Sequence, residues 1–164
     1  MNGIQTHLYD SDEKAKEKLS ELEEPLQAIR WIDSCITGFE DYAEKVVEVL
    51  HTRVSGFTWV GYYWVRPTGL TLVASRGVKT GEKAVIGMRR GVIGRAAASG
   101  RTVVGSGSSP LLSEIATPVE SHGVVVGIIA VKSQSPNAFG PEMVEFLDRV
   151  AAEMSNRWHG STCD

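Results

Sequence analysis

The chain has 164 residues, of which 42% are hydrophobic and 23% charged, the composition of one globular domain that can bury its own core. The 17 basic residues against 20 acidic residues give a net charge of -3, which lacks the basic excess of a nucleic-acid-binding protein. No apolar run approaches the ~20 residues of a membrane span, and the N-terminus shows no secretory signal. The composition therefore predicts a cytoplasmic single-domain protein without membrane or nucleic-acid partners.

Two chemistries are disfavoured by residue types alone. Cys35 and Cys163 are too few for a disulfide scaffold or a zinc site, and the four histidines show no ligand spacing, so we expect no metal and no cofactor. The segment around His122 lacks the sequence of a hydrolase nucleophile, and we expect no catalytic residue. A bond between the two cysteines would require the end helices to pack together.

The first 38 residues are predicted to be helical. Residues 10–24 are almost all polar, and their thin apolar stripe predicts a helix that needs a partner surface. Pro25 is predicted to start a second, richer amphipathic stretch, which Gly38 closes. We assign residues 1–38 to an N-terminal helical segment and expect it to be a dimerisation element.

The middle of the chain alternates between helical and strand patterns. Apolar residues recur at helical spacing over residues 39–53, whereas residues 57–65 are aromatic and β-branched and predict a strand. A hairpin through a turn at residues 66–69 follows. The pattern then predicts a short strand at 84–86, a helix at 91–99 closed by a C-terminal glycine, a strand at 102–104, and a loop of small residues at 105–110.

The last third predicts two strands and a helix. Residues 113–120 and 124–133 form a hairpin around a tight turn, and the second strand is so apolar that it should be central in the sheet. Residues 143–158 carry an apolar stripe at helical spacing. Strands joined mainly by hairpins, with helices at both ends, predict an α+β fold rather than a Rossmann-type sheet.

The glycine-rich stretch at residues 87–94 superficially resembles a phosphate-binding loop. It lacks both the P-loop ending and the dinucleotide-binding spacing, which favours a turn followed by a helix. The start of that helix, beside Arg89 and Arg90, could still attract an anionic ligand.

Three segments resemble a GAF domain: Val60–Tyr63, Arg90–Ala96 and Gly127–Val131. The resemblance covers roughly residues 39–158. It implies a six-stranded antiparallel sheet with the terminal helices on one face and a small-molecule pocket on the other. We therefore expect a GAF domain at residues 39–159, followed by a flexible tail at residues 160–164.

Within that family the chain is most similar to the free methionine-R-sulfoxide reductases, through Trp59–Tyr63, the Arg-Gly-Val-x-Gly turn and Ser113–Ile115. The reductases carry a cysteine where this chain has Ile93, and a second cysteine in the loop before Ser113. Their substrate-binding Asp-x-Asp-Ser corresponds to residues 130–133 here, which read Ala-Val-Lys-Ser. Isoleucine cannot act as a nucleophile, so the resemblance implies the pocket without the reductase chemistry.

A ligand-binding set follows from the resemblance and from strand geometry. Alternate residues of a strand face opposite sides, so Trp59 and Tyr63 share one face with Gly61 between them. The resemblance implies that this face is the pocket, and Glu114 is its polar candidate because a covered carboxylate needs a partner. Arg90, Ile93 and Lys132 complete the predicted set.

Three functions remain open at this point. The leading one is a stand-alone, non-catalytic GAF-type module for binding or signalling, whose partner is a small-molecule metabolite or another protein. The alternatives are a diverged reductase-like enzyme and an interaction domain whose pocket is filled by its own side chains. A homodimer through a bundle of residues 10–36 and 140–158 is expected.

Overall fold

The structure is a computed structural model that describes residues 3–32, 36, 38–79 and 81–160, with side chains described between residues 11 and 158. Its helices and strands, in chain order, are α1 Gly3–Arg30, α2 Phe39–Arg53, β1 Trp59–Arg66, β2 Gly69–Gly77, β3 Val85–Ile86, α3 Gly91–Ser99, β4 Val103–Ser106, β5 Ser113–Ser121, β6 Val124–Ser133 and α4 Pro141–Gly160. Cys35 and Cys163 both lie outside the described residues, so the structure does not address a bond between them.

The strands form one six-stranded sheet in the order β3-β2-β1-β6-β5-β4, and every neighbouring pair is antiparallel. The predicted α+β fold is therefore confirmed. The apolar strand β6 lies between β1 and β5, the central position that its composition predicted. Short strands occupy both edges.

The N-terminal helix differs from the expectation. Residues 3–30 form one continuous helix that passes through Pro25, where a second helix was predicted to begin. Proline has no backbone N–H and so removes one hydrogen bond from the helix. The buried face of α1 nevertheless continues past it through Leu22, Leu26 and Ile29. Packing of this face compensates for the lost bond, and the helix does not break.

One face of the sheet is covered by α1, α2 and α4. Helix α4 buries its stripe against the sheet within the same chain, with Met143, Phe146, Leu147, Val150 and Met154 all in the core. Ion pairs fix α1 beside α4 in a parallel direction, since Lys18 contacts Glu142 at 3.2 Å and Arg30 contacts Glu153 at 2.8 Å. No described helix has the length and apolar content to cross a membrane.

The opposite face forms a second apolar cluster under α3. Trp59 and Tyr63 belong to this cluster, whereas Val60 and Tyr62 belong to the cluster under the terminal helices, as the alternation of β1 predicted. Helix α3 ends at Gly100, which adopts a left-handed conformation with φ 67° that glycine tolerates best. The candidate site lies on this face.

Candidate functional site

A row of small residues crosses three strands of the sheet beneath α3. Gly61 of β1 pairs with Ala130 of β6, which pairs with Ala116 of β5. The indole of Trp59 lies directly over Gly61, because a Cβ built on that glycine would stand 2.2 Å from the indole Cη2. Trp59 is only 2% exposed. The space over Gly61 is therefore occupied by the indole, not open to a ligand.

An open cleft of about 400 Å³ lies beside this filled region. It is bounded by the N-terminal end of α3, the loop after β4, and one end of β5 and β6. Its lining residues are Gly91, Val92, Arg95, Ser106, Gly107, Ser108, Ser109, Pro110, Leu111, Glu114 and Lys132. Hydroxyl groups and charges thus predominate over apolar surface, as suits a polar ligand.

Sheet register brings the charged groups of the cleft together. Glu114 of β5 and Lys132 of β6 are direct cross-strand partners. The Lys132 ammonium lies 3.5 Å from a carboxylate oxygen of Glu82 and 4.9 Å from the ring centre of Trp59. Lys132 is therefore already engaged by an anion and by an aromatic face.

Glu114 is the least satisfied of these groups. It makes no hydrogen bond or ion pair with another described residue, although it is half-buried. Burial raises the pKa of its carboxyl group above the ordinary value; Lys132 and Arg95 oppose this rise, and Glu82 adds to it. Ionisation of Glu114 therefore carries a cost in folding free energy, as is common for binding and catalytic groups.

This cost predicts that Glu114→Gln is more stable than wild type, by a margin that grows as pH rises. A carboxyl group whose pKa is raised on folding retains its proton in the folded state where the unfolded chain has lost it. The contribution of Glu114 to stability is then greatest below its ordinary pKa and is lost as pH rises through the raised pKa. We expect the difference in melting temperature, variant minus wild type, to grow in scans from about pH 4 to about pH 8. A variant less stable than wild type at the upper end would contradict this.

Two of the six predicted ligand residues, Glu114 and Lys132, line the cleft. Trp59, Tyr63 and Ile93 belong to the buried cluster under α3, and none of them lines the cleft. The backbone of Arg90 forms the N-cap of α3, and its exposed side chain is outside the cleft lining. The structure thus places two of the six residues in the cleft lining, and ligand binding by all six stays a prediction.

Sequence reasoning missed Arg95, Glu82 and the serines of the loop. Arg95 could have been found, because residues 91, 92 and 95 share one face of a helix that starts at Gly91. Glu82 lies between β2 and β3, where no periodicity indicated which way a side chain points. Among the described side chains, no group of three or more His, Cys, Asp or Glu is placed to hold a metal ion.

Solved structures confirm the architecture. A GAF-sensor-type protein from Burkholderia vietnamiensis superposes with a TM-score of 0.81 at 19% identity, covering 88% of this chain and 92% of that one. Free methionine-R-sulfoxide reductase from Neisseria meningitidis, solved with its substrate, superposes with a TM-score of 0.76 at 26% identity, covering 90% of this chain and 92% of that one. The GAF domain of an Acinetobacter phosphoenolpyruvate-protein phosphotransferase superposes with a TM-score of 0.69 at 18% identity, covering 90% of this chain and 96% of that one.

The similar folds therefore include both enzymes and non-reductase GAF domains, and fold alone does not choose between them. The curated proteins include no match to this sequence. The GAF domain family matches residues 37–158, which is most of the chain and includes the whole sheet, α2, α3 and nearly all of α4. The chain belongs to the GAF domain family.

Proposed function

We propose that the chain is a cytoplasmic, non-catalytic GAF module that binds a small zwitterionic metabolite, of the size of an amino acid, in the cleft between α3 and β5. The observation that carries the proposal is Glu114, a half-buried carboxylate that has no hydrogen-bond partner among the described residues and lines an open cleft. A ligand ammonium group would supply the donors that this carboxylate lacks.

The opposite side of the cleft suits an anionic group. The N-terminus of α3 has no side-chain cap, and Gly91 and Val92 at that end line the cleft. Uncapped N–H groups and the helix dipole favour a carboxylate at this position. The guanidinium of Arg95, Ser106 at the end of β4 and two serines of the following loop add further donors. Both charges of a zwitterion therefore have complementary groups.

The reductase reaction is disfavoured by what fills the family's nucleophile position. Ile93 is buried at 2% exposure in the cluster with Trp59 and Tyr63, and its side chain offers no nucleophile. None of the residues that line the cleft contains sulfur. The Neisseria relative acts on free methionine-R-sulfoxide, an amino acid, and its likeness supports the proposed ligand class rather than the chemistry.

A titration with matched analogues tests the ligand class. Calorimetry with an amino acid, its N-acetyl derivative and its decarboxylated amine separates the two charged groups of the ligand. We expect 1:1 binding of the amino acid and at least a tenfold loss for each analogue, because each leaves a charged group of the cleft unpaired. Equal affinity for the amino acid and its N-acetyl derivative would refute the role of Glu114.

Self-association is the second part of the proposal. Helices α1 and α4 both bury their apolar faces within their own chain, so the contact is assigned to Trp31, which follows α1 and is 82% exposed. A large apolar side chain so exposed is typical of an interface. The wild-type protein is expected to be a dimer at micromolar concentration in light scattering, and Trp31→Ala a monomer. A wild-type mass equal to one chain would contradict the dimer.

A further inference from the structure

Four groups are stacked over the middle of the sheet on the site face. Gly61 forms the floor, the Trp59 indole lies on it, the Lys132 ammonium lies 4.9 Å from the ring centre, and Glu82 contacts Lys132 at 3.5 Å. The Glu82 side chain is only 7% exposed. This carboxylate comes from the connection between β2 and β3, so an ion pair ties that connection down over the indole.

The apolar cluster that contains the Trp59 indole also contains a buried hydroxyl group, that of Tyr63. Tyr63 is fully buried, and its hydroxyl group has no hydrogen-bond partner among the described residues. Burial raises the pKa of Tyr63 above its ordinary value, and the charges of Glu82 and Glu114 add to this rise. Native interiors seldom leave a hydroxyl unpaired, so this exception calls for an explanation.

The floor beneath α3 is made of glycine and alanine in three neighbouring strands. Small side chains at adjacent positions leave a hollow, and in this structure an aromatic ring of the chain itself fills it. The ring contributes dispersion contacts but no group that satisfies the Tyr63 hydroxyl. A ligand that entered the hollow could do both.

We propose that Trp59 is a displaceable plug and that the Lys132–Glu82 ion pair is its latch, so that the structure shows the closed state of the hollow beside the open cleft. This inference concerns the regulation of the proposed binding site and rests on that function. Opening moves the indole off Gly61 and exposes the Tyr63 hydroxyl to a planar group that carries a hydrogen-bond acceptor. Closure reduces the apparent affinity to the intrinsic affinity multiplied by the fraction of molecules that are open.

The hollow is tested by removing the plug and offering free indole. Trp59→Ala should bind one indole with a Kd on the order of 1 mM, because an apolar cavity left by an aromatic side chain takes up a ring of matching size. Indole should also raise the melting temperature of this variant. Trp31→Ala, which removes an exposed tryptophan, should show neither effect. Indole binding that is absent from Trp59→Ala, or equal in the two variants, would overturn the plug.

The latch is tested in proteins that keep Trp59. Acrylamide quenching is compared between Glu82→Gln and Glu24→Gln, both in a Trp31→Phe background that removes the exposed fluorophore. Glu24 pairs with Arg53 on the helix side of the protein and serves as the matched control. We expect the quenching constant to rise about twofold for Glu82→Gln and to stay at the background value for Glu24→Gln. Equal constants would overturn the latch.

Failure of the plug and failure of the proposed function give different results. If no zwitterion binds but Trp59→Ala takes up indole and Glu82→Gln raises quenching, the plug stands and the ligand class is wrong. If an amino acid binds while both the indole and the quenching experiments are negative, the binding function stands and the plug is wrong.

Discussion

Replacing Gly127 with alanine is expected to lower the free energy of unfolding by about 2 kcal/mol, the usual range for overpacking a filled core. A Cβ on Gly127 would stand 1.9 Å from the Tyr62 hydroxyl oxygen and 2.4 Å from Cζ of the same ring. Tyr62 is fully buried and packs against Phe39, with ring centres 5.7 Å apart, so the ring has little room to retreat. Chemical denaturation of both proteins measures the loss.

The control for this change is Gly87→Ala, where the added Cβ would meet only the flexible side chain of Arg90 at 3.5 Å. That variant should lie within about 1 kcal/mol of wild type, with a small gain from the restricted unfolded chain. Tyr62→Phe removes the atom nearest to the new methyl group and should rescue part of the Gly127→Ala loss. A loss from Gly127→Ala no larger than that from Gly87→Ala would contradict the packing described for Tyr62.

Glu114→Gln is expected to weaken binding of a zwitterionic ligand about 30-fold, because a hydrogen bond to a charged group contributes about 1.5–3 kcal/mol. The change keeps the shape of the side chain and removes only its charge, which the ligand ammonium requires. Isothermal titration of both proteins with the same amino acid measures the ratio of the two dissociation constants.

The matched control lies on the same strand, where Glu120 is exposed and outside the cleft. Glu120→Gln should bind the amino acid as wild type does. Loss of fold cannot account for weak binding by Glu114→Gln, because that variant is expected to be the more stable protein at neutral pH. Unchanged affinity in Glu114→Gln would remove this carboxylate from the site.

The fold was predictable because its signals are local. The helical spacing at residues 39–53 and the period-2 alternation of β1 each specify a buried face, and both match the structure. The same reasoning misjudged Pro25, since proline is a local signal for a helix start. The buried face on either side of it proved stronger than the cost of one missing backbone hydrogen bond.

The site was less predictable because it depends on register and on side-chain direction. Periodicity placed Trp59 and Gly61 on the correct face, but it does not reveal that the indole folds over the glycine. The pairing of Glu114 with Lys132 follows from the β5–β6 register, which the hairpin turn sets. The contact of Glu82 with Lys132 spans 50 residues, and no sequence pattern signals it.

Native mass spectrometry with a thiol reductant and free methionine-R-sulfoxide, in a mixture with the common amino acids, tests the central claim most directly. The spectrum reports any bound compound, and the same reaction mixture reports whether methionine is formed. We expect one zwitterion retained per chain, with the sulfoxide in solution unchanged. Methionine formed in proportion to the protein, or a protein that retains no zwitterion from the mixture, would contradict a cleft built to bind such a ligand without reacting with it.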